Sequence, residues 1–158
     1  EALLDELGLG RHIKAKAMGK ILYHMKFKVA LAGCPNACPQ PQIKTFGISG
    51  QANPIATDAP CIECMKCVEI CKEKGAVKII DARPVFDYNL CVLCDDCAEI
   101  CPTGSIVIEK KGAKVMARGK LGRHPKLAAV LQELANEDEV YESLKQVVEE
   151  CMQETSKL

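Results

Sequence analysis

Eight of the chain's eleven cysteines fall in two runs of one pattern. Cys61-Ile-Glu-Cys64-Met-Lys-Cys67-Val-Glu-Ile-Cys71 is answered thirty residues later by Cys91-Val-Leu-Cys94-Asp-Asp-Cys97-Ala-Glu-Ile-Cys101. Both read C-x2-C-x2-C-x3-C, with Glu-Ile before the last cysteine. Three cysteines at two-residue gaps curl a loop around one cubane and offer thiolates to three of its irons. The fourth, a helical turn further on, lies too far round to close the same cubane and ligates the one held by the other run. The spacing therefore predicts two [4Fe–4S] clusters, one on Cys61, Cys64, Cys67 and Cys101, the other on Cys91, Cys94, Cys97 and Cys71. Their chemistry is the passage of single electrons. Crossed fourth ligands tie the two halves together, so fold and metal should form as a unit. Disulfides inside such a run are sterically poor, and zinc favours two separated C-x2-C pairs.

The elements that must hold these loops follow from the residues between and around them. Gly75-Ala-Val77-Lys-Ile79 and Gly104-Ser-Ile106-Val-Ile108 give each half a strand after its cysteines. Val77 to Asp81 and then Arg83 to Phe86 read as a hairpin leading into the second loop. Upstream, the run from Phe27 to Gly33 reads as a buried strand, followed by a tight turn through Cys34 and Cys38 and a second strand over Ile43 to Ile48. Downstream, Ala113 to Ala117 reads as a strand, and Arg118, Lys120, Arg123 and His124 sit among glycines. Pro125 stands where a helix to about Ala135 would begin. A second helix, Glu137 to about Glu154, sets Val140, Leu144, Val147, Val148 and Cys151 along one face, which places Cys151 in the core. His24, between Leu22 and Met25, reads as a packed histidine.

Composition bounds the function. Of 158 residues 48% are hydrophobic but only 4% aromatic, so the core must be built from Ile, Val, Leu and Ala. Lys+Arg and Asp+Glu balance at 21 each, which gives no global field for nucleic acid or an anionic membrane. No apolar run approaches a membrane span, and the acidic first residues do not read as a signal peptide; the expected location is cytoplasmic. Gly119-x-x-Gly122 is no dinucleotide fingerprint and no phosphate loop is visible. Electrons are therefore expected from a partner redox protein.

The stretch from Ala59 to about Ile108 resembles bacterial-type two-cluster ferredoxins, and Pro102 after Cys101 keeps that family's proline. The first run departs, with Lys72-Glu73-Lys74 after Cys71. Outside it, Gly33-Cys-Pro-Asn-Ala-Cys38 with Phe46-Gly47-Ile48 is similar to the C-x3-C motif of sirohaem-dependent sulfite and nitrite reductases, and residues 113–125 look like the strand and glycine-rich loop that follow their inserted ferredoxin modules. The resemblance implies an α+β fold, a sulfite-reductase-like α/β half-domain interrupted by a two-cluster ferredoxin-like insert, with segments 1–57, 58–109 and 110–158. It implies that Cys34 and Cys38 contribute to a third [4Fe–4S] cluster linked to sirohaem through Cys38. It also implies that Arg118, Lys120 and Arg123 hold an oxyanion or a haem carboxylate. The family's upstream cysteine pair has no counterpart here, since no cysteine precedes Cys34. Either the chain is a fragment, or a partner such as another reductase subunit or a second copy of the chain supplies the ligands, or this site has lost its cluster. The function expected is electron transfer through two clusters to a sulfite- or nitrite-reducing site. A ferredoxin-type carrier or adaptor without catalysis is the alternative.

Overall fold

A computed structural model describes residues 2–17, 19–21 and 26–154; His24 lies outside them. Two short helices, α1 (Ala2–Glu6) and α2 (Leu9–Lys16), precede a sheet of strands β1 (Val29–Ala32), β2 (Phe46–Ala56), β5 (Ile106–Ala117) and β6 (Ala129–Ala135). Their order across the sheet is β1-β2-β5-β6. β1 pairs parallel with β2, and the other pairings are antiparallel. The start of β2 and the end of β5, which pair with each other, carry the sheet's core: Phe46 and Val115 are fully buried, and Val147 of α5 (Glu137–Glu154) packs against them. The start of α5 is fixed by a reciprocal capping box. The Glu139 amide donates to Asn136 Oδ1 (2.9 Å), and the Asn136 amide donates to Glu139 Oε2 (2.7 Å).

Between the ends of β2 and β5 hangs a second, smaller unit. It contains the cysteine loops, the helical turns α3 (Lys66–Ile70) and α4 (Asp96–Glu99), and the hairpin β3 (Val77–Ile80) and β4 (Arg83–Phe86). Asp81 and Ala82, at φ 49° and 54°, form the left-handed two-residue turn that matches strand twist. Its central apolar cluster is Cys67, Val77, Cys97 and Ile106, two of which are candidate ligands.

The mixed helix-and-sheet architecture agrees with the expected α+β class. Three expectations need adjustment. Residues 129–135 form β6 and not the C-terminal part of a helix begun at Pro125. Lys120 and Lys126 exchange amide–carbonyl bonds of 2.9 Å, which closes a loop that folds the chain back as a strand on β5. After the Cys34–Cys38 turn, residues 41–43 form a 3-10 turn, and the strand begins only at Phe46. The strands expected at 106–108 and 113–117 are one strand, β5, which runs without a break through residue 109.

Candidate metal centres

The two cysteine loops share a backbone device that their side chains did not advertise. Glu63 and Met65 in the first run, and Leu93 and Asp95 in the second, all lie in the left-handed region, at φ 53°, 59°, 61° and 69°. They occupy equivalent positions, two and four residues after the first cysteine of each run. Non-glycine residues enter this region at a cost of about 1–3 kcal/mol each, and such strain clusters at functional sites. Alternating left- and right-handed residues turn successive amides toward one enclosed space, a concavity that suits an anion. One of these amides, Glu63 N–H, already donates to Cys61 Sγ at 3.4 Å.

The fourth cysteines cross over. A cavity of about 280 Å³ is lined by Cys91, Cys94, Cys97 and Cys71, and a narrower one of about 20 Å³ by Cys61, Cys64, Cys67 and Cys101. The electrostatics follow the same pairing. Burial chiefly pushes up the Cys67 thiol, with Cys101 and Cys61 adding repulsion. Burial likewise pushes Cys97 up to about 12, with Cys94, Cys91 and Cys71 adding to it. Cys91 and Cys94 are raised for the same first reason, and each also feels Cys71. Cys101 differs. Burial works to raise it, but the amides of Thr103, Ile106 and Ser105, with the Thr103 hydroxyl, together outweigh burial and hold it below the usual thiol value. Among the described residues, no three His, Cys, Asp or Glu side chains meet at one ion position. Four soft thiolates, inward amides and a cavity make the larger site a fit for [4Fe–4S]. The smaller site has the same donor set, and the exposed Cys64 loop forms its outer wall.

Cations and acids ring the larger cavity. Lys72, the residue that replaces proline after Cys71, reaches Asp96 at 3.9 Å, and Lys111 of β5 reaches Asp95 at the same distance. The loop is fastened to β2 by the Ala52 amide donating to the Leu93 carbonyl (2.8 Å) and by Tyr88 Oη donating to the Pro54 carbonyl (2.8 Å). Pro54, having no amide to donate, sits where the β2–β5 register shifts.

Cys34 and Cys38 lie exposed in the turn after β1. Ser49 Oγ donates to the Cys34 carbonyl (3.0 Å), and Asn36 Nδ2 donates to Cys38 Sγ (2.9 Å). No role for Asn36 follows from its place in the motif; its side-chain amide reaches the sulfur because the turn folds back on itself. Cys34, Pro35 and Asn36 also line the 280 Å³ cavity. These two thiolates are half of a cubane's four, so the described chain alone does not complete a third cluster, and sirohaem attachment through it is incomplete by the same count.

The basic loop docks beside this turn. The Arg118 amide donates to the Thr45 carbonyl and the Ala128 amide to the Gln42 carbonyl, both at 2.8 Å. Gly119 lies so close that a Cβ there would stand 2.7 Å from the carbonyl oxygens of Gln42 and Lys44. Arg118 is paired with Glu150 of α5, whereas Arg123 is exposed at the loop's tip. No helix begins there, so the loop gains no helix-terminus charge. Cys151 packs at the margin of the sheet core. Among the described residues no helix is long and apolar enough to cross a membrane.

Comparison with known proteins completes the description of the site. The family model "Nitrite and sulphite reductase 4Fe-4S domain" matches residues 1–153. The Coenzyme F420-dependent sulfite reductase of Methanocaldococcus jannaschii is 37% identical over 123 residues, 78% of this chain and 20% of that protein. The chain thus spans about one fifth of that curated relative's length. The fold is similar to the crystal structure of dissimilatory sulfite reductase I, with a TM-score of 0.55 and 19% identity over 92% of this chain and 41% of that one.

Proposed function

This chain belongs to the nitrite and sulphite reductase 4Fe-4S domain family, and on that footing we propose that it is the electron-relay part of a sulfite- or nitrite-reducing enzyme, holding two [4Fe–4S] clusters in a ferredoxin-like insert at 58–109. The observation that carries the reading is the crossed pairing of cysteines: Cys71 lines the cavity of the second run and Cys101 that of the first. Each bound cluster supplies a one-electron couple. The chain's residues supply the rest. Cys61, Cys64, Cys67 and Cys101 would hold one cluster, and Cys91, Cys94, Cys97 and Cys71 the other. The left-handed residues aim amides at them, and hydrogen bonds to the sulfurs stabilise the reduced, more negative state.

Substrate reduction would take place beside the Cys34–Cys38 turn, a reading supported at the level of reaction class by the relative named as a sulfite reductase. The basic loop is bonded to residues 42–45 immediately after that turn, which supports Lys120 and Arg123 as the positive charge that an oxyanion or a haem carboxylate would meet. Arg118, held by Glu150, would fix the loop's root. The electron donor is a redox protein, and further reductase subunits are the natural neighbours of the turn.

Anaerobically prepared protein tests this directly. About eight irons and eight sulfides per chain, with two reducible cluster signals, are expected. A haem band in protein made with a sirohaem supply, together with sulfite or nitrite reduction, would place the chain in the catalytic part. Clusters without either would leave only the carrier role. An iron content of about four or fewer per chain, or zinc in its place, would overturn the two-cluster relay.

A further inference from the structure

The two cavities are not equivalent with respect to the Cys34–Cys38 turn. The cavity of Cys71, Cys91, Cys94 and Cys97 is closed on one side by Cys34, Pro35 and Asn36, whereas no residue of that turn lines the cavity of Cys61, Cys64, Cys67 and Cys101. β2 enforces the difference. Gly50 lies against the Gly33 carbonyl so tightly that a side chain there would collide with it, and Ser49 holds the Cys34 carbonyl at 3.0 Å. Two residues further along, Ala52 takes the Leu93 carbonyl at 2.8 Å and forms a bridge with Cys94. One rigid strand therefore clamps the turn and the second cysteine loop side by side. The first loop's site is fastened beyond the strand's end, where the Thr57 amide donates to the Ser105 carbonyl (2.9 Å) and the Thr57 hydroxyl to the Gly104 carbonyl (2.7 Å). Its rim is open: Cys64 is exposed, and Ile62 keeps 62% of its surface in solvent.

From this asymmetry we propose that the relay is ordered, with the Cys71/Cys91/Cys94/Cys97 site as the inner station next to Cys34 and the Cys61/Cys64/Cys67/Cys101 site as the outer station. The inference rests on the cluster reading above. One electron enters at the outer station from a one-electron protein donor, which is left oxidised. It passes to the inner station, which returns the outer one to its oxidised form. It then leaves past the Cys34–Cys38 turn to the sulfite- or nitrite-reducing site proposed above, which gains the electron as the inner station is reoxidised. The through-bond route is short and crosses two hydrogen bonds: from Cys94 through the Leu93 carbonyl to the Ala52 amide (2.8 Å), then along β2 to the Ser49 hydroxyl and the Cys34 carbonyl (3.0 Å).

The test injects an electron at the turn and watches where it lands. In cluster-loaded chain carrying Cys38→Ser and Cys151→Ala, a photoactive ruthenium polypyridyl complex is attached to Cys34. A flash then delivers one electron, and cluster bleaching is followed with time. Cys94→Ala, which removes an inner ligand, should abolish the fast bleach. Cys64→Ala, which removes an outer ligand, should keep the fast bleach and lose only the slower phase of onward transfer. The reverse pattern, or equal loss in both, overturns the order. Should a ligand variant lose both clusters, the parent ligand set decides the matter: a nitroxide on Cys34 must show its stronger dipolar coupling to the cluster whose signal is shifted by Lys72→Ala, a change in the inner cavity's lining that removes no ligand. Stronger coupling to the other cluster overturns the proposal. The iron count keeps the two levels apart, because about eight irons with the wrong kinetic pattern refute the order alone. Iron near zero in the parent refutes the cluster reading and the order with it.

Discussion

A ligand count is the strictest thing a residue can be asked to satisfy, and here it is strict enough to distinguish crossed from uncrossed quartets. Cys71 belongs by sequence to the first run but faces Cys91, Cys94 and Cys97. Cys71→Ser should therefore remove the same electron-spin signal as Cys94→Ala, with iron falling from about eight to about four per chain. Loss of the signal that Cys64→Ala removes would mean that the quartets close within their own runs. These eight cysteines were legible in the sequence because cubane chemistry fixes both the number and the spacing of thiolates. The left-handed residues between them were not, since Glu63, Met65, Leu93 and Asp95 carry side chains that ordinarily avoid that conformation. Only closure of the loop around its centre selects it. Asn36 was hidden for a related reason: its bond to Cys38 is made by the turn and not by any pattern.

Elements place these residues, and the loop between β5 and β6 shows how. Gly119 is where two backbones touch, and a Cβ would meet carbonyl oxygens at 2.7 Å. Gly119→Ala should cost about 1–3 kcal/mol of stability through overpacking, read as a lower unfolding midpoint, and should loosen the segment after Cys38 without lowering iron content. A variant as stable as the parent would show that the loop is not pressed against residues 42–44. The root of the same loop is pinned by Arg118 and Glu150, and the Arg118 hydrogen bond holds the Glu150 carboxyl below its ordinary 4.5. A depressed carboxyl contributes stability above its unfolded value and loses it as pH falls through its folded value. Glu150→Gln should thus lower stability at neutral pH slightly, the pair being exposed, and the gap to the parent should close below about pH 4. A gap unchanged at acid pH would mean that the pair is not what the carboxylate contributes. The Asn136–Glu139 cap emerged only in the fold, whereas the hairpin was readable from alternation and α5 from its apolar face. β6 was not: Ala129, Leu131, Gln132, Glu133 and Leu134 are good helix formers, and its strand form comes from pairing with β5, a long-range choice that local preference does not reveal. The nearness of Cys34 to the second cysteine loop was illegible likewise, because it depends on the register of β2 and its shift at Pro54.

At the scale of the molecule there are two cores of different kinds. The sheet and α5 close over Phe46, Val115, Ala117, Ala135 and Val147, an apolar core that owes nothing to metal. The smaller unit closes over Val77 and Ile106 with the candidate ligands Cys67 and Cys97 between them. Without metal, those thiols are buried neutral groups that contribute little packing, and the strained left-handed loops around them lose the anion that would compensate for their conformation. The two parts should therefore respond separately to iron. Chelation of the loaded protein is expected to release amide protection across residues 61–104, by the coupling of metal to folding. Amides of β2 and β5 near Phe46 and Val115 should stay protected, since local opening energies follow local packing. Hydrogen exchange with and without chelator makes the comparison. If the sheet unfolded together with the insert, the metal would be the keystone of the whole chain; if neither part changed, the cysteine loops would hold their shape unaided and the case for iron as their organising ligand would fail. Separate melting would instead mark the insert as a metal-built module mounted on a metal-independent platform, with β2 and β5 as the continuous strands that carry the relay's inner station to the turn it serves.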